Sequence, residues 1–300
     1  MRIVVVGDAG LDVVARHEGP LVHGGDTRAQ VGLTGGGAGA NTALWLRAAG
    51  ADPVLLARVG DDPGGRLLRT ELEAAGVTCA FAVDADADAA TCCVVVLVDP
   101  DGQRTMLPDR GANKHFSPAD VDTVGPRALA GADHLHLSGY VLLDPSSRPA
   151  GLAALEAARA AGVPTSVDPQ AAALITDPDR FLADVRGVDL LLPNAAELAA
   201  LTGSGDPAAA GELLGHVGAV AVTTGLDGAA WVDADGMRTV PAQPAPCVDS
   251  TGAGDAFNAG LLTARLRGEP VRDCLTAGVQ LGAQVVSQVG AQPVPGSLPA

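Results

Sequence analysis

The stretch CVDSTGAGDAFNAG, Cys247 to Gly260, sets three small residues, Gly252, Ala253 and Gly254, directly before Asp255, and a helix-like run follows. A turn nearly without side chains lets backbone N–H groups converge on an anion, and the helix behind it adds its positive end. That arrangement suits a phosphoryl group whose equatorial oxygens carry charge in the transition state. Asp255, in the first turn, would face the same point and accept the proton of an attacking hydroxyl. Taken alone, the stretch is equally an Asp N-cap behind a glycine turn.

The whole chain narrows the choice. Its 300 residues suffice for one large α/β domain or two smaller ones, and 47% apolar residues favour a packed globule over disorder. Aromatics are only 2%, so Val, Leu and Ala must fill the core. A net charge of −16 offers no basic footprint for nucleic acid and disfavours anionic membranes as partners. A phosphate would have to be held locally, by backbone amides, a metal ion or a few arginines. The single lysine, Lys114 in GANKHF, excludes a GxxxxGK[ST] loop and the protein-kinase set with its strand lysine. The first strand ends in Gly7-Asp8-Ala9-Gly10, which is not the GxGxxG of a dinucleotide site. The cysteines, Cys79, Cys92, Cys93, Cys247 and Cys274, are odd in number and lack metal-site spacing, as expected of reduced thiols in a cytoplasmic protein. The start, MRIVVVGDAG, has no long signal-peptide core, and no run approaches the ~20 apolar residues of a membrane span.

Short apolar runs at 3–6, 53–59, 92–98, 134–137, 164–168, 190–193 and 219–224 read as strands. Ala/Leu-rich helical stretches lie among them at 40–49, 64–75, 149–161, 194–201, 207–215 and 254–266. Alternating strands and helices predict a mainly parallel sheet with helices on both faces. Two segments break the rhythm, 10–34 with its Gly24-Gly25 turn and 91–107 with the hairpin turn VDPDGQ. They are expected to add antiparallel strands outside the core, either as a small lid or as plain edge hairpins. A lid with open edges is expected to be covered by a second copy, giving a homodimer.

Further motifs carry two readings each. TGGGAGAN (34–41) is a glycine turn entering a helix, either a tight turn or a close approach to a ligand with Asn41 beside it. Asp12, after the first strand, lies toward the carboxyl end of the sheet, where open α/β sheets bind ligands, or is a solvated loop residue. LLPNAAEL (191–198) places Asn194 and Glu197 as a capping box or as a carboxylate near a phosphate-bridging Mg²⁺. TTGLDG (223–228) either borders a nucleotide or is an ordinary turn.

In this order, the motifs, closed by Asp249-Ser250-Thr251-Gly252-Ala253-Gly254-Asp255, resemble the ribokinase-like, or PfkB, family of carbohydrate and nucleoside kinases from Met1 to about Gly290. The resemblance implies a single-domain, three-layer αβα sandwich with a β-lid, and ATP- and Mg²⁺-dependent phosphorylation of a hydroxymethyl group. Asp255 matches the family's base, and Gly252, Ala253 and Gly254 its anion hole. Asn194 and Glu197 match the pair that organises Mg²⁺ and phosphate. Thr223, Gly225 and Gly228 match the nucleotide-side turn. Asp12, Gly36, Gly37 and Asn41 match the sugar-hydroxyl contacts. Asp249 and Thr251, with the stretch around Gly290, match a loop that in many members binds K⁺. Two positions depart from ribokinases themselves. Ala38 stands where Lys is usual, and Ser138 stands where a ribose-contacting Glu is usual. A free sugar is the expected acceptor, with a nucleoside kinase or a non-catalytic sugar or nucleotide sensor as the alternatives.

Overall fold

The computed structural model describes residues 1–84 and 89–294. Its strands are β1 (Arg2–Val6), β2 (Gly10–His17), β3 (Ala29–Gly36), β4 (Asp52–Gly60), β5 (Thr78–Asp84), β6 (Cys92–Val98), β7 (Arg104–Asp109), β8 (His134–Ser138), β9 (Thr165–Asp168), β10 (Leu190–Leu191), β11 (Ala219–Thr223), β12 (Ala229–Asp233) and β13 (Gly236–Val240). Nine of them form one sheet in the order β13-β12-β11-β10-β9-β8-β1-β4-β5. From β11 to β5 every pairing is parallel, and β12 and β13 finish one edge as an antiparallel hairpin.

The pleat explains the layers. Ile3 and Val5 face one side and Val4 and Val6 the other, as do Leu55 and Ala57 against Val54 and Leu56. On the first side the sheet meets the helices Ala38–Ala48, Pro63–Ala74, Ala253–Leu266 and Val271–Val286. On the second it meets Pro118–Leu129, Arg148–Ala160, Pro178–Asp184 and Ala195–Thr202. Strands covered on both faces need no polar alternation, hence the near-continuous Val and Leu runs. Each such side chain stabilises the fold by roughly 1.5–3 kcal/mol on burial. The two tryptophans are buried with their indole N–H groups paired, Trp45 donating to Ala291 O at 2.8 Å and Trp231 to Asp233 Oδ2 at 2.7 Å.

The remaining four strands form the separate small sheet, in the order β3-β2-β6-β7. The expected antiparallel lid is corrected in one respect, because its central pair, β2 with β6, is parallel. Both hairpins leave the main sheet at the same place, Gly10 beside Cys92, so their first strands run the same way. A Cβ on Gly10 would stand 2.7 Å from Cys92 O, so only glycine allows that approach. The 207–215 stretch is a 3₁₀ helix rather than an α-helix. β5, β12 and β13 escaped the sequence reading because Ala, Asp, Gly or Arg interrupts their apolar signal.

Candidate active site

The parallel strands deliver their carboxyl ends to one edge of the sheet. β9 ends in Asp168, β10 leads to Asn194, and β11 ends in Thr223. Asn194 and Thr223 extend the ladder by one parallel bridge. Against this edge stands the turn before the helix Ala253–Leu266. A cleft of about 160 Å³ is lined there by Asp168, Gln170, Leu192, Asn194, Glu197, Thr223, Ser250, Gly252, Ala253, Gly254, Asp255 and Asn258. Gly252 is the helix N-cap with φ 79°, a left-handed conformation that favours glycine, and a Cβ there would stand 2.6 Å from Ala291 O. The Ala256 amide is bonded back to Gly252 O at 2.9 Å, and the Gly254 and Asp255 amides before it have no intrahelical acceptor.

Asp255 lies at the bottom of this turn, buried, with Thr42 Oγ1 donating to its Oδ1 at 2.7 Å. Thr42 comes from the helix Ala38–Ala48, so two helix N-termini meet at the carboxylate. Burial, and then the nearby charge of Asp168, push the Asp255 carboxyl up from 3.8 to about 7. Asp168 is buried too, and its Oδ2 accepts from Asn258 Nδ2 at 2.6 Å. Burial raises its carboxyl as well, and Glu197 is raised by burial and by Asp168.

The Asn194–Glu197 pair is a capping box. Asn194 Oδ1 accepts from Glu197 N at 2.9 Å, and Glu197 accepts from Asn194 N at 2.9 Å and Nδ2 at 2.7 Å. Both side chains nonetheless line the cleft, so capping also holds them in position. Among the described residues no group of three or more His, Cys, Asp or Glu forms a metal cage. Mg²⁺ does not require one, since it keeps waters and takes one or two carboxylates together with phosphates. Three buried carboxyls crowded round one cleft, with protons held above their usual range, are a donor set that fits such an ion.

A second cavity of about 330 Å³ lies under the lid, lined by Asp12, Arg16, Thr34, Arg104, Asp249, Thr251 and the 288–294 stretch among others. The Asp249–Gly254 turn is the wall between the two spaces, with Ser250 and Gly252 facing the cleft and Asp249 and Thr251 the cavity. Asp12 stands against Gly36, where a Cβ would come within 2.6 Å of its carboxylate. Burial lifts the Asp12 carboxyl to about 6. Gly37, at φ 93°, passes over Asp8, and Asn41 Oδ1 accepts from Gln292 Nε2 at 3.3 Å.

Some expected residues lie elsewhere. Gly225 and Gly228 sit in the turn joining β11 to β12 and are not among the residues lining the cleft. Gly228 has its own structural reason, because a Cβ would stand 2.1 Å from Val240 O. Asp249 and Thr251 are both engaged by Arg104 of β7. Sequence reading missed Asp168, Thr42, Asn258 and Gln170. Asp168 carried a legible signal, a carboxylate ending a strand directly before Pro169. Gln170, at φ 72°, is the only non-glycine residue with positive φ among those described. Its position had no such signal.

The model of the pfkB family carbohydrate kinases matches residues 1–296. An ATP-dependent ribose-1-phosphate kinase of Halopiger xanaduensis is 32% identical over 297 residues, 98% of this chain and 95% of that protein. A fructokinase of Klebsiella pneumoniae is 33% identical over 286 residues, 92% of this chain and 88% of its own length. The crystal structure of a ribokinase from Thermotoga maritima superposes with a TM-score of 0.82 at 24% identity, covering 100% of this chain and 96% of that one, which supports the fold. The chain belongs to the pfkB family of carbohydrate kinases.

Proposed function

We propose that the chain is a single kinase domain that transfers the γ-phosphoryl group of ATP to a hydroxymethyl group of a small sugar. The observation that carries this reading is the buried Asp255, oriented by Thr42 behind a bare helix N-terminus and sharing one cleft with Asn194 and Glu197. Asp255 accepts the proton of the acceptor hydroxyl as the O–P bond forms. The turn of Gly252, Ala253 and Gly254 receives the charge of the moving phosphoryl group, chiefly through amides that have no intrahelical acceptor, since the Ala253 amide also donates to Ser250 O at 3.3 Å. Asn194 and Thr223 face the nucleotide phosphates, and the nucleotide continues over the turn of Gly225 and Gly228. Glu197, through water and beside Asp168, would hold Mg²⁺, which when bound neutralises phosphate charge. Thr42 fixes the Asp255 carboxylate for proton transfer, and the lid excludes water from the acceptor. The acceptor hydroxyls are bound by Asp12, with Gly36, Gly37 and Asn41 shaping the same corner. For K⁺, the two implied ligands, Asp249 and Thr251, already hold the guanidinium of Arg104.

An acceptor that carries its own phosphate is a second reading, because Arg16 lines the same cavity as Asp12. The ribose-1-phosphate kinase relative acts on such a compound by name. A nucleoside acceptor fares less well, since only seven aromatic residues, four Phe, two Trp and one Tyr, are present in the chain to stack a base. ADP release measured against pentoses, hexoses, sugar phosphates, keto-deoxy acids and nucleosides tests the function. Release that needs no acceptor, or none with any compound, would leave a sensor. Asp12→Ala is expected to raise the acceptor KM roughly 10–100-fold, the loss of a charged hydrogen bond, with the KM for ATP nearly unchanged. The reverse pattern would exchange the two halves of the site.

The reading includes a cytoplasmic location, consistent with five free cysteines. It also includes a homodimer through the lid. Leu33, Val13, Val95 and Leu107 stand in one cross-strand row on the lid face opposite Asp12. In that row Leu33 and Leu107 are each 55% exposed, and neighbouring Val31 is 69% exposed. An apolar face of this kind is a surface for a second copy. Sedimentation at micromolar concentration should give a dimer for the wild type and a monomer for Leu33→Glu. A monomeric wild type would remove this part of the reading.

A further inference from the structure

The family resemblance implies K⁺ at Asp249 and Thr251, and these residues do not fit one. Asp249 is 3% exposed and both of its oxygens accept hydrogen bonds. Oδ1 accepts from Thr251 N at 2.8 Å, and Oδ2 accepts from Gly290 N at 2.8 Å and from Arg104 Nη2. Arg104 Nη1 donates to Thr251 Oγ1. The guanidinium therefore takes the oxygens that a K⁺ ion would have to draw around itself in place of its waters. Its planar fork matches a carboxylate and a hydroxyl at once. Being tethered to β7, it is present at a fixed high local concentration, whereas a free ion must be recruited. Burial would push the Asp249 carboxyl up, but Arg104 and the Gly290 and Thr251 amides outweigh it and hold it at about 2.

The position of this contact gives it a consequence for the site. Thr251 directly precedes Gly252, the left-handed residue that opens the anion-binding turn. Gly252 packs on Ala291, one residue beyond the Gly290 amide that Asp249 holds. Asp249 thus ties the two segments that shape the turn, and the charge that offsets its own comes from the lid. We propose that Arg104 takes the place of the monovalent cation, so that the lid itself organises the phosphoryl-binding turn and the enzyme is indifferent to K⁺. Arg104 is a positioning residue, acting through Asp249 and Thr251 on the amides behind them. The inference rests on the kinase reading above for its effect on rate, but not for its effect on ion binding.

The experiment compares wild type and Arg104→Met in KCl and in choline chloride at equal ionic strength. Two readouts are taken, the melting temperature without substrates and kcat with the best acceptor. The wild type should give the same values in both salts. Arg104→Met should lose about tenfold or more in kcat in choline, with acceptor KM moved less, and should recover in K⁺. Its melting temperature should rise by about 2–4 °C in KCl, because the emptied site now binds the ion. Arg104→Lys keeps a tethered charge and should remain indifferent to K⁺, which also covers the case where the Met variant fails to fold. A wild type stabilised or accelerated by K⁺ would overturn the proposal, as would an Arg104→Met variant that matches the wild type in both salts. If no acceptor is turned over, the kinase reading fails while the melting comparison still decides the role of Arg104.

Discussion

Asp255→Asn is expected to lower kcat by roughly 10²–10⁴-fold, the range of a lost general base. The amide keeps an oxygen for the Thr42 hydroxyl, which donates at 2.7 Å, so the helix start should be undisturbed. Stability should change in the opposite direction to activity. The Asp255 carboxyl is raised from 3.8 to about 7 in the folded chain, so folding favours its protonated form. That contribution is fully present below pH 4 and is lost as pH rises through 7, where a charge must be kept buried. Above pH 7 the neutral Asn removes the penalty, and the variant should melt higher than the wild type at pH 8 by roughly 4–8 °C. At pH 4 the two should melt together. The same ionisation gives kcat/KM an acid limb near pH 7. A variant that keeps more than about a tenth of wild-type kcat, only ~1.4 kcal/mol of barrier, would show that Asp255 is not the base.

Gly254→Ala should separate function from folding even more sharply. The added Cβ meets nothing closer than Asp168 Oδ2 at 3.8 Å, an ordinary contact, and Gly254 already has helical backbone. Alanine in a helix is favoured over glycine by roughly 0.5–1 kcal/mol, so the variant should be at least as stable as the wild type. Its methyl group nevertheless projects into the cleft where the amides meet the phosphoryl oxygens. A loss of kcat of roughly 10²–10³-fold is expected, comparable to removing one oxyanion donor. Gly252→Ala is the contrasting case. There φ is 79° and a Cβ would stand 2.6 Å from Ala291 O, so stability falls together with activity. Stopped-assay rates and melting curves on the two variants distinguish a blocked site from a damaged fold. A fully active Gly254→Ala would mean that the phosphoryl group passes elsewhere.

Much of this was legible in the sequence, for identifiable reasons. The long parallel strands are buried on both faces, so their Val and Leu runs announced them without help from neighbours. The Gly252–Asp255 turn is legible as a glycine turn entering a helix, because three small residues directly precede a carboxylate and an Ala/Leu-rich run follows. The Asn194–Glu197 spacing allows two roles, a capping box or a carboxylate near Mg²⁺; the capping box is present, and both of its members line the cleft. What stayed hidden depends on distant chain segments. Thr42 reaches Asp255 across 213 residues, and Asn258 reaches Asp168 across 90, so no local pattern marks either. Arg104 directly follows the VDPDGQ turn, and nothing in its local sequence marks it. Only the folding of the lid over the Asp249 loop brings its guanidinium to a carboxylate 145 positions away. The hairpin of β12 and β13 is hidden for the opposite reason, its pattern being broken by Asp and Gly at the turn between the two strands.

The most direct test of the central claim is identification of the product formed from γ-labelled ATP and the best acceptor of the panel. Phosphorus NMR and mass spectrometry would show which atom carries the new phosphate. The expected product is a phosphate monoester on the hydroxymethyl carbon of a sugar, formed in step with ADP by the wild type and reduced to near background with Asp255→Asn and Gly254→Ala. Label released as inorganic phosphate, transferred to a protein side chain, or transferred equally well by those two variants would contradict it.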